Sequence, residues 1–289
     1  MLKELKKFKV TNSNVRLADF DSGDTLGLKK DSAKDELENN RKELDGLQDI
    51  FYADNRYSLL IILQAPDAAG KDGAIRHVMS GVNPQGCRVH SFKSPSDEEL
   101  DHDYLWRHYK ALPERGMIEI FNRSHYENLL ITRVHPEYIL NERIPGYEKV
   151  EAIDEKFWKK RYDQINNFEK HIHENGTHIL KFFLNLSKDE QKERFMERLS
   201  DPTKYWKFNS ADLKERGYWD EYRTVYEEML QNTSTEYAPW HIIPADKKWF
   251  SRVAIGEIIV EKLKSLDLRY PAAEDPEALK KAKHTLENE

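Results

Sequence analysis

Residues 58–73 constrain this chain more than any other stretch. The run Ser-Leu-Leu-Ile-Ile-Leu-Gln (58–64) has no polar interruption between Leu59 and Leu63. A strand with one wet face alternates apolar and polar residues. A continuous apolar run of strand length belongs in a parallel sheet covered on both faces. Ala65-Pro-Asp-Ala-Ala-Gly-Lys-Asp-Gly73 follows at once, and residues 73–80 read as a helix with Gly81 as its stop. Strand, glycine-containing loop and helix, in that order, are the setting of a phosphate-binding loop. Gly70 permits the turn, the backbone N–H groups of Ala68, Ala69, Gly70, Asp72 and Gly73 surround an anion, and Lys71 supplies one flexible cation.

The motif departs from its usual form at two places. Ala65 stands where a first glycine is expected, and Asp72 where a Ser or Thr hydroxyl normally meets Mg²⁺. Asp67 and Asp72 are carboxylates in or beside the loop, and either can take over a hard cation. The plainer alternative is an ordinary strand–turn–helix with a surface lysine.

The rest of the chain alternates in the same way. Residues 88–92, 117–122, 178–186 and 240–243 read as strands. Helices are expected after Ser32-Ala-Lys-Asp35 (a capping-box pattern), from Ser96 to about Leu112, over 151–175, from Ser187 to near Asp201-Pro202, and over 250–266. Leu37, Leu44, Leu47 and Phe51 share one helix face. Ile153, Phe157, Ile165, Phe168 and Ile172 share another. The expectation is an α/β, P-loop three-layer fold with a parallel sheet and right-handed crossovers. Residues 1–30 read as an N-terminal arm, 31–266 as one domain with a lid around 194–218, and 267–289 as a charged tail.

Two further segments carry candidate chemistry. Asn122-Arg123-Ser124-His125-Tyr126-Glu127 follows the strand at 117–121. The residue ending a strand beside a phosphate loop commonly reaches the metal shell, here as the neutral donor Asn122, while Arg123 can hold phosphate oxygens bidentately. Asn122 or Ser124 can equally serve as a helix N-cap. Arg194 and Arg198 are four apart on one helix face, ahead of Asp201-Pro-Thr-Lys-Tyr-Trp-Lys-Phe208. They read either as a lid closing cations, Lys207 included, over phosphates, or as a solvated charged helix.

The 289 residues carry 46 Lys+Arg against 52 Asp+Glu, a net charge of −6, which argues against a broad nucleic-acid-binding face. The lone Cys87 allows no intrachain disulfide and no cysteine-based zinc site, and reads as a packed residue. His171 and His173, two apart on a helix, are a poor metal pair and read as solvent residues; His102 and His108 carry no assignment. The N-terminal residues hold no apolar core of signal-peptide length, and no run is long enough to span a bilayer. The expectation is a cytoplasmic protein with no nucleic-acid or membrane partner.

Taken together, Gln64–Gly73, His77–Gly86, Ser91-Phe-Lys93, Ile120–Glu127, Arg133-Val-His-Pro136 and Asp201–Phe208 resemble the polyphosphate kinase 2 family, over roughly residues 30–265. The resemblance implies a thymidylate-kinase-like fold with a five-stranded parallel sheet and a helical lid. It implies transfer of a phosphoryl group from inorganic polyphosphate to AMP or ADP to make ADP or ATP. Mg²⁺ would be the cofactor, with Mn²⁺ as an alternative, and the chain would form a homo-oligomer, a dimer or tetramer. By matching position, Asp67 and Asn122 would lie by the metal, and Lys71 and Arg123 would neutralise the transferring phosphate. Lys93, Arg133, Arg194, Arg198 and Lys207 would line the phosphate path or lid.

The sequence departs from family members that act on nucleoside diphosphates, which often have Asp at the position of Asn122 and Trp at that of His125. Asn-Arg-Ser-His-Tyr-Glu resembles instead the class III subgroup that phosphorylates both AMP and ADP, with Glu127 a candidate for setting acceptor choice or metal number. The rival readings are an ATP-dependent nucleotide kinase and a non-catalytic module that binds polyphosphate or nucleotide.

Overall fold

The computed structural model describes residues 2–11, 13–272 and 275–289. Helices of eight or more residues are numbered here, and shorter turns are not. In chain order the elements are α1 (Lys30–Asp54), β1 (Ser58–Gln64), α2 (Lys71–Val78), β2 (Cys87–Ser91), β3 (Ile118–Asn122), α3 (Glu155–Glu174), β4 (Thr177–Asn185), α4 (Lys188–Ser200), α5 (Ser210–Gly217), α6 (Trp219–Thr233), β5 (Trp240–Pro244), α7 (Lys248–Lys264) and α8 (Pro276–Glu287). The five strands are all parallel, in the order β2-β3-β1-β4-β5.

β1 is central and buried at every residue. Its alternate side chains feed two cores, as the pleat requires. Leu59, Ile61 and Leu63 pack with Leu44 and Phe51 of α1 and with Phe250, Ala254, Ile258 and Ile259 of α7. Leu60 and Ile62 pack on the other face with Phe157, Ile165, Phe168 and Ile172 of α3 and Met229 and Leu230 of α6. This is the expected α/β three-layer fold. Its geometry places the carboxyl ends of β1 and β3 side by side, with Leu63 opposite Asn122. In open α/β sheets ligands bind along that edge.

Several expected boundaries move. α1 begins at Lys30, so Ser32 lies inside its first turn and caps nothing; Lys29 stands at the cap with no side-chain bond. The capping box at Ser96 forms, with Ser96 Oγ accepting from the Glu99 N–H and Glu99 returning to the Ser96 N–H. The helix nevertheless stops at Leu100 and restarts only at Trp106–Tyr109. Asp103 accepts from the Leu105 N–H at 2.9 Å, and this local turn competes with continuation of the helix. α3 starts at Glu155, not near 151, because the Asp154 carboxylate accepts from both the Lys156 and Phe157 N–H groups. His173 is half-buried beside Tyr237, not a solvent residue.

The first thirty residues cover the open edge of β5. Lys9 bridges His241 in antiparallel sense, and the Val10 N–H donates to the Trp240 carbonyl at 2.9 Å. Leu5 and Phe8 enter one core and Val10, Val15 and Leu17 the other. A sheet edge that would otherwise invite pairing is thereby closed. Residues 276–287 form an exposed helix, with Leu279 and Leu286 open to solvent. Among the described residues no helix is long and apolar enough to cross a membrane.

Burial holds the imidazoles of His178 and His241 down at about 4; at His178 the nearby Lys262 and His173 add to it. An unfolded histidine takes up its proton near pH 6.5, so between about pH 6.5 and 4 the unfolded chain binds more protons than the folded one. Stability therefore falls as pH drops through that window. Urea midpoints measured at pH 4.5, 5.5 and 6.5 should rise in that order, and a flat series would show that these histidines do not stay neutral.

Candidate active site

The site is assembled at the carboxyl ends of β1 and β3. Between β1 and α2 the chain turns sharply, with Ala68 and Gly70 in left-handed backbone at φ 61° and 104°. Glycine adopts that conformation at no steric cost, but alanine does so under strain. Arg123, just past β3, is also left-handed at φ 64°. Two of these three residues, Ala68 and Arg123, are thus held in backbone conformations their own side chains disfavour.

Lys71 is the first residue of α2 and is buried, with its ammonium donating to the Ala65 carbonyl at 3.0 Å. Burial and the neighbouring Arg123 pull its pKa down to about 8, while Asp67, Glu127 and Asp72 act in the other direction. Arg123 donates to Asp67 Oδ1 at 2.6 Å and approaches Glu127 at 3.5 Å. Glu127 above all, and Asp67, raise its pKa against the effect of burial. Asn122 donates its amide to Asp72 Oδ1 at 2.7 Å. The expected residues Asp67, Lys71, Asp72, Asn122, Arg123 and Glu127 therefore meet in one cluster.

Hydrogen bonds from the core fix the turn after β3. Ser124 Oγ accepts from the Tyr126 N–H. Gln64, with its amide oriented so that both ends are paired, accepts from Ser124 and donates to Glu127 Oε1 at 2.9 Å. Deeper, Lys181 of β4 donates to Glu169 at 2.6 Å, to the Tyr126 hydroxyl at 2.7 Å and to the Thr233 carbonyl at 2.7 Å. His125 Nε2 lies 3.3 Å from Glu169.

The expected lid residues divide. Arg194 is turned inward. It is buried, and its guanidinium donates to Glu190 and to the carbonyls of Ala68, Ala69, Ala245 and Asp246 at 2.6–3.2 Å. Its fork carries five N–H groups and this structure uses all of them. Arg198, near the end of α4, donates to the Lys207 carbonyl and lies 3.6 Å from Asp212. Lys207 and Trp206 are exposed, with the lysine over the indole. Lys93 is exposed, and its carbonyl accepts from Arg107. Arg133 is not brought to the loop; it pairs with Glu155 and Glu228 and lies over Trp158.

Other residues reach the site without a motif to announce them. Asp212 of α5 pairs with Arg198, and burial and the carboxylate of Asp67 raise its pKa. Gln191 donates to the Asp67 carbonyl at 3.0 Å. Tyr226 of α6 is buried, and its phenol is influenced by Glu127, Asp67 and Arg123. α5 is moored to the body where Glu215 meets His135 at 3.0 Å and Tyr222 at 2.7 Å. Only an i, i+4 signal tied Arg194 to Arg198. Nothing in the local sequence marks Asp212 or Tyr226, because the fold brings them in from far along the chain.

The oxygen donors Asp67, Asp72, Asn122 and Glu127 are the hard kind that Mg²⁺ takes. Among the described residues no three His, Cys, Asp or Glu side chains converge to hold a metal by themselves. The set therefore fits a cation that completes its shell with phosphate oxygens and water, as Mg²⁺ does at nucleotide sites.

The polyphosphate kinase 2 family model matches residues 27–271. The chain is 54% identical over 230 residues to a protein of Rhodopseudomonas palustris named ADP-polyphosphate phosphotransferase, covering 80% of this chain and 78% of that one. It is 43% identical over 273 residues to the AMP/ADP-polyphosphate phosphotransferase of Meiothermus ruber, covering 93% and 97%. The crystal structure of polyphosphate kinase 2 from Arthrobacter aurescens superposes with a TM-score of 0.88 at 39% identity, over 98% of this chain and 96% of that one.

Replacing Arg194 by Met should remove the donors that hold four backbone carbonyls. Buried acceptors left unpaired cost about 1–3 kcal/mol each, so a loss of roughly 3–5 kcal/mol is expected after partial relaxation. Urea unfolding measures it directly, and a variant within about 1 kcal/mol of the parent would show that these bonds do not anchor the loop.

Proposed function

This chain belongs to the polyphosphate kinase 2 family, and from that premise we propose that it transfers a phosphoryl group from inorganic polyphosphate to ADP and to AMP. The observation that carries the reading is the cluster around Lys71: a buried ammonium behind a phosphate-type loop, flanked by Arg123 and by the carboxylates of Asp67, Asp72 and Glu127. Bare carboxylates repel phosphate, so a site that only bound anions would gain nothing from them. A site that works on a metal-bound polyphosphate uses them.

Phosphoryl transfer passes through a loose transition state, and the protein's task is to align donor and acceptor and to balance charge on peripheral oxygens. The loop N–H groups and Lys71 hold the phosphoryl group to be transferred, and Arg123 stabilises charge as the anhydride breaks. Lys71 is buried, where its charge acts more strongly than in water, while Arg123 keeps part of its side chain open to an incoming phosphate. When Mg²⁺ is bound, Asp67 and Asn122 would hold it, and it supplies further charge balance on the phosphates. Arg198 and Lys207, on the lid, are placed to follow the polyanion outward, in a salt-sensitive way.

Acceptor range follows the relative from Meiothermus ruber, whose name includes both AMP and ADP. Asn122, with Asp72 on its amide, and Glu127, held by Gln64 and Arg123, are the residues we assign to that choice. A homo-oligomer in the cytoplasm, without nucleic-acid or membrane partners, completes the reading.

Purified protein with Mg²⁺ and polyphosphate should convert AMP to ADP and then to ATP, followed by separation of the nucleotides. Conversion of ADP alone would remove the acceptor assignment, and transfer from ATP with polyphosphate inert would overturn the donor. Lys71→Met should cut kcat by roughly 10²–10³, about 2.7–4 kcal/mol, as loss of one preorganised charge partner does. Thermal melting checks that the fold is retained, since the Ala65 carbonyl loses its partner in this variant. Near-normal turnover by this variant would dislodge the loop from its role.

A further inference from the structure

Three tyrosines are buried among the described residues, Tyr126, Tyr162 and Tyr226. Two of them use their hydroxyls. Tyr126 donates to Glu169 at 2.7 Å and accepts from Lys181, and Tyr162 donates to Glu228 at 3.3 Å. Tyr226, only 5% exposed, has no hydrogen bond to its hydroxyl. The ring is packed, but the hydroxyl is not among the sealed polar atoms of the described residues, so its O–H is a free donor that a ligand can reach.

Its position gives that donor a direction. Tyr226 lies on α6 with its ring centroid 4.6 Å from that of Phe183. Phe183 is paired with Gln64, the last residue of β1 before the phosphate loop. Gln64 in turn holds Ser124 and Glu127. One turn earlier on the same helix, Tyr222 is fastened to the lid residue Glu215 at 2.7 Å. Tyr226 therefore stands between the lid's mooring and the loop, and the charged groups it senses are Glu127, Asp67 and Arg123.

We propose that Tyr226 is a further catalytic residue, whose phenolic O–H donates to an oxygen of the bound phosphates as the phosphoryl group moves. The inference rests on the phosphoryl-transfer reading above and adds a residue to it. The chemistry suits the place. The cluster already carries Lys71 and Arg123 against Asp67, Asp72, Glu127 and Asp212. A neutral donor adds a hydrogen bond to a peripheral oxygen without altering that charge balance. A phenol enclosed beside carboxylates keeps its proton throughout the accessible pH range, so it acts as a fixed donor and not as an acid or base; no proton leaves it during turnover.

The test is Tyr226→Phe, which removes one oxygen from a hydroxyl that holds nothing in the free protein. Tyr237→Phe serves as the control, since Tyr237 donates only to the Asn166 carbonyl, outside the site. Initial rates with polyphosphate and ADP give kcat and KM, and thermal melting reports on the fold. The expected result is a fall in kcat of roughly 10²-fold for Tyr226→Phe, as for removal of one such donor. KM should stay within about threefold and melting should be unchanged, with Tyr237→Phe near the parent. A kcat within twofold of the parent would overturn the proposal. So would a loss confined to KM, or an equal loss in the control. If the parent itself turned over only with ATP, the donor reading would fail on its own, and the same comparison run with ATP would still decide the role of Tyr226.

Discussion

The guanidinium of Arg194 is what allows a loop of this sequence to present itself to an anion. A strand that ends and turns into a helix within a few residues leaves carbonyls as well as N–H groups near the turn. Carbonyl oxygens facing the same space would repel phosphate. Here the Ala68 and Ala69 carbonyls point back into the protein and are taken by Arg194, together with those of Ala245 and Asp246 past β5. Carbonyls drawn inward leave the N–H side of the loop outward. The same side chain ties α4 to the loop and to the end of the sheet, so the base of the lid and the phosphate cradle share one rigid support.

Charge is the second constraint. Lys71 and Arg123 are outnumbered by nearby carboxylates, and a polyanionic substrate would add to that excess. A site built so is unfavourable for bare phosphate and favourable for phosphate accompanied by a cation. α5 adds to this, because burial and the nearby Asp67 carboxylate raise the cost of ionising Asp212. Arg198, paired with Asp212, supplies the opposing charge. The placement of α5 therefore sets part of the balance of charge over the loop.

The succession of strands and helices along the chain and the site's central cluster were legible because both depend on local patterns, whereas the order of strands within the sheet was not read. A run such as Leu59–Leu63 has few places to go, and a loop such as Ala65–Gly73 between strand and helix has few uses. Asn122, Arg123 and Glu127 follow from their place at the end of a strand. The role of Arg194 was not legible. Its spacing from Arg198 shows which face of α4 it occupies, but not that this face is turned toward loop carbonyls. Tyr226 and Asp212 lie far along the chain beyond the loop and enter only through the crossover after β4. The break at Leu100 was hidden for a different reason: the cap at Ser96 is sound, and Asp103 ends the helix by offering a competing turn. The arm over β5 reads as polar in sequence, because only a few of its residues, Leu5, Phe8, Val10, Val15 and Leu17, are buried.

The buried network of Lys181, Glu169, Tyr126 and His125 is hard to explain by stability alone. Desolvating a lysine and a glutamate costs more than an apolar pair of similar volume, even with good geometry. Burial opposes the charge on Glu169, and Lys181 and His125 overcome it. What an apolar pair could not do is fix direction. Lys181 has three acceptors around Nζ, and two of them, Glu169 and Tyr126, are joined by their own bond. Tyr126 can then occupy only one rotation, and His125 beside it is held by the same carboxylate. Those two residues follow Arg123 and Ser124 directly, so the network fixes the far end of a turn whose near end is the left-handed Arg123. A strained residue at a site persists only where its surroundings over-determine it. Hydrophobic packing is non-directional and would leave that turn free to relax, whereas a closed set of short polar bonds does not.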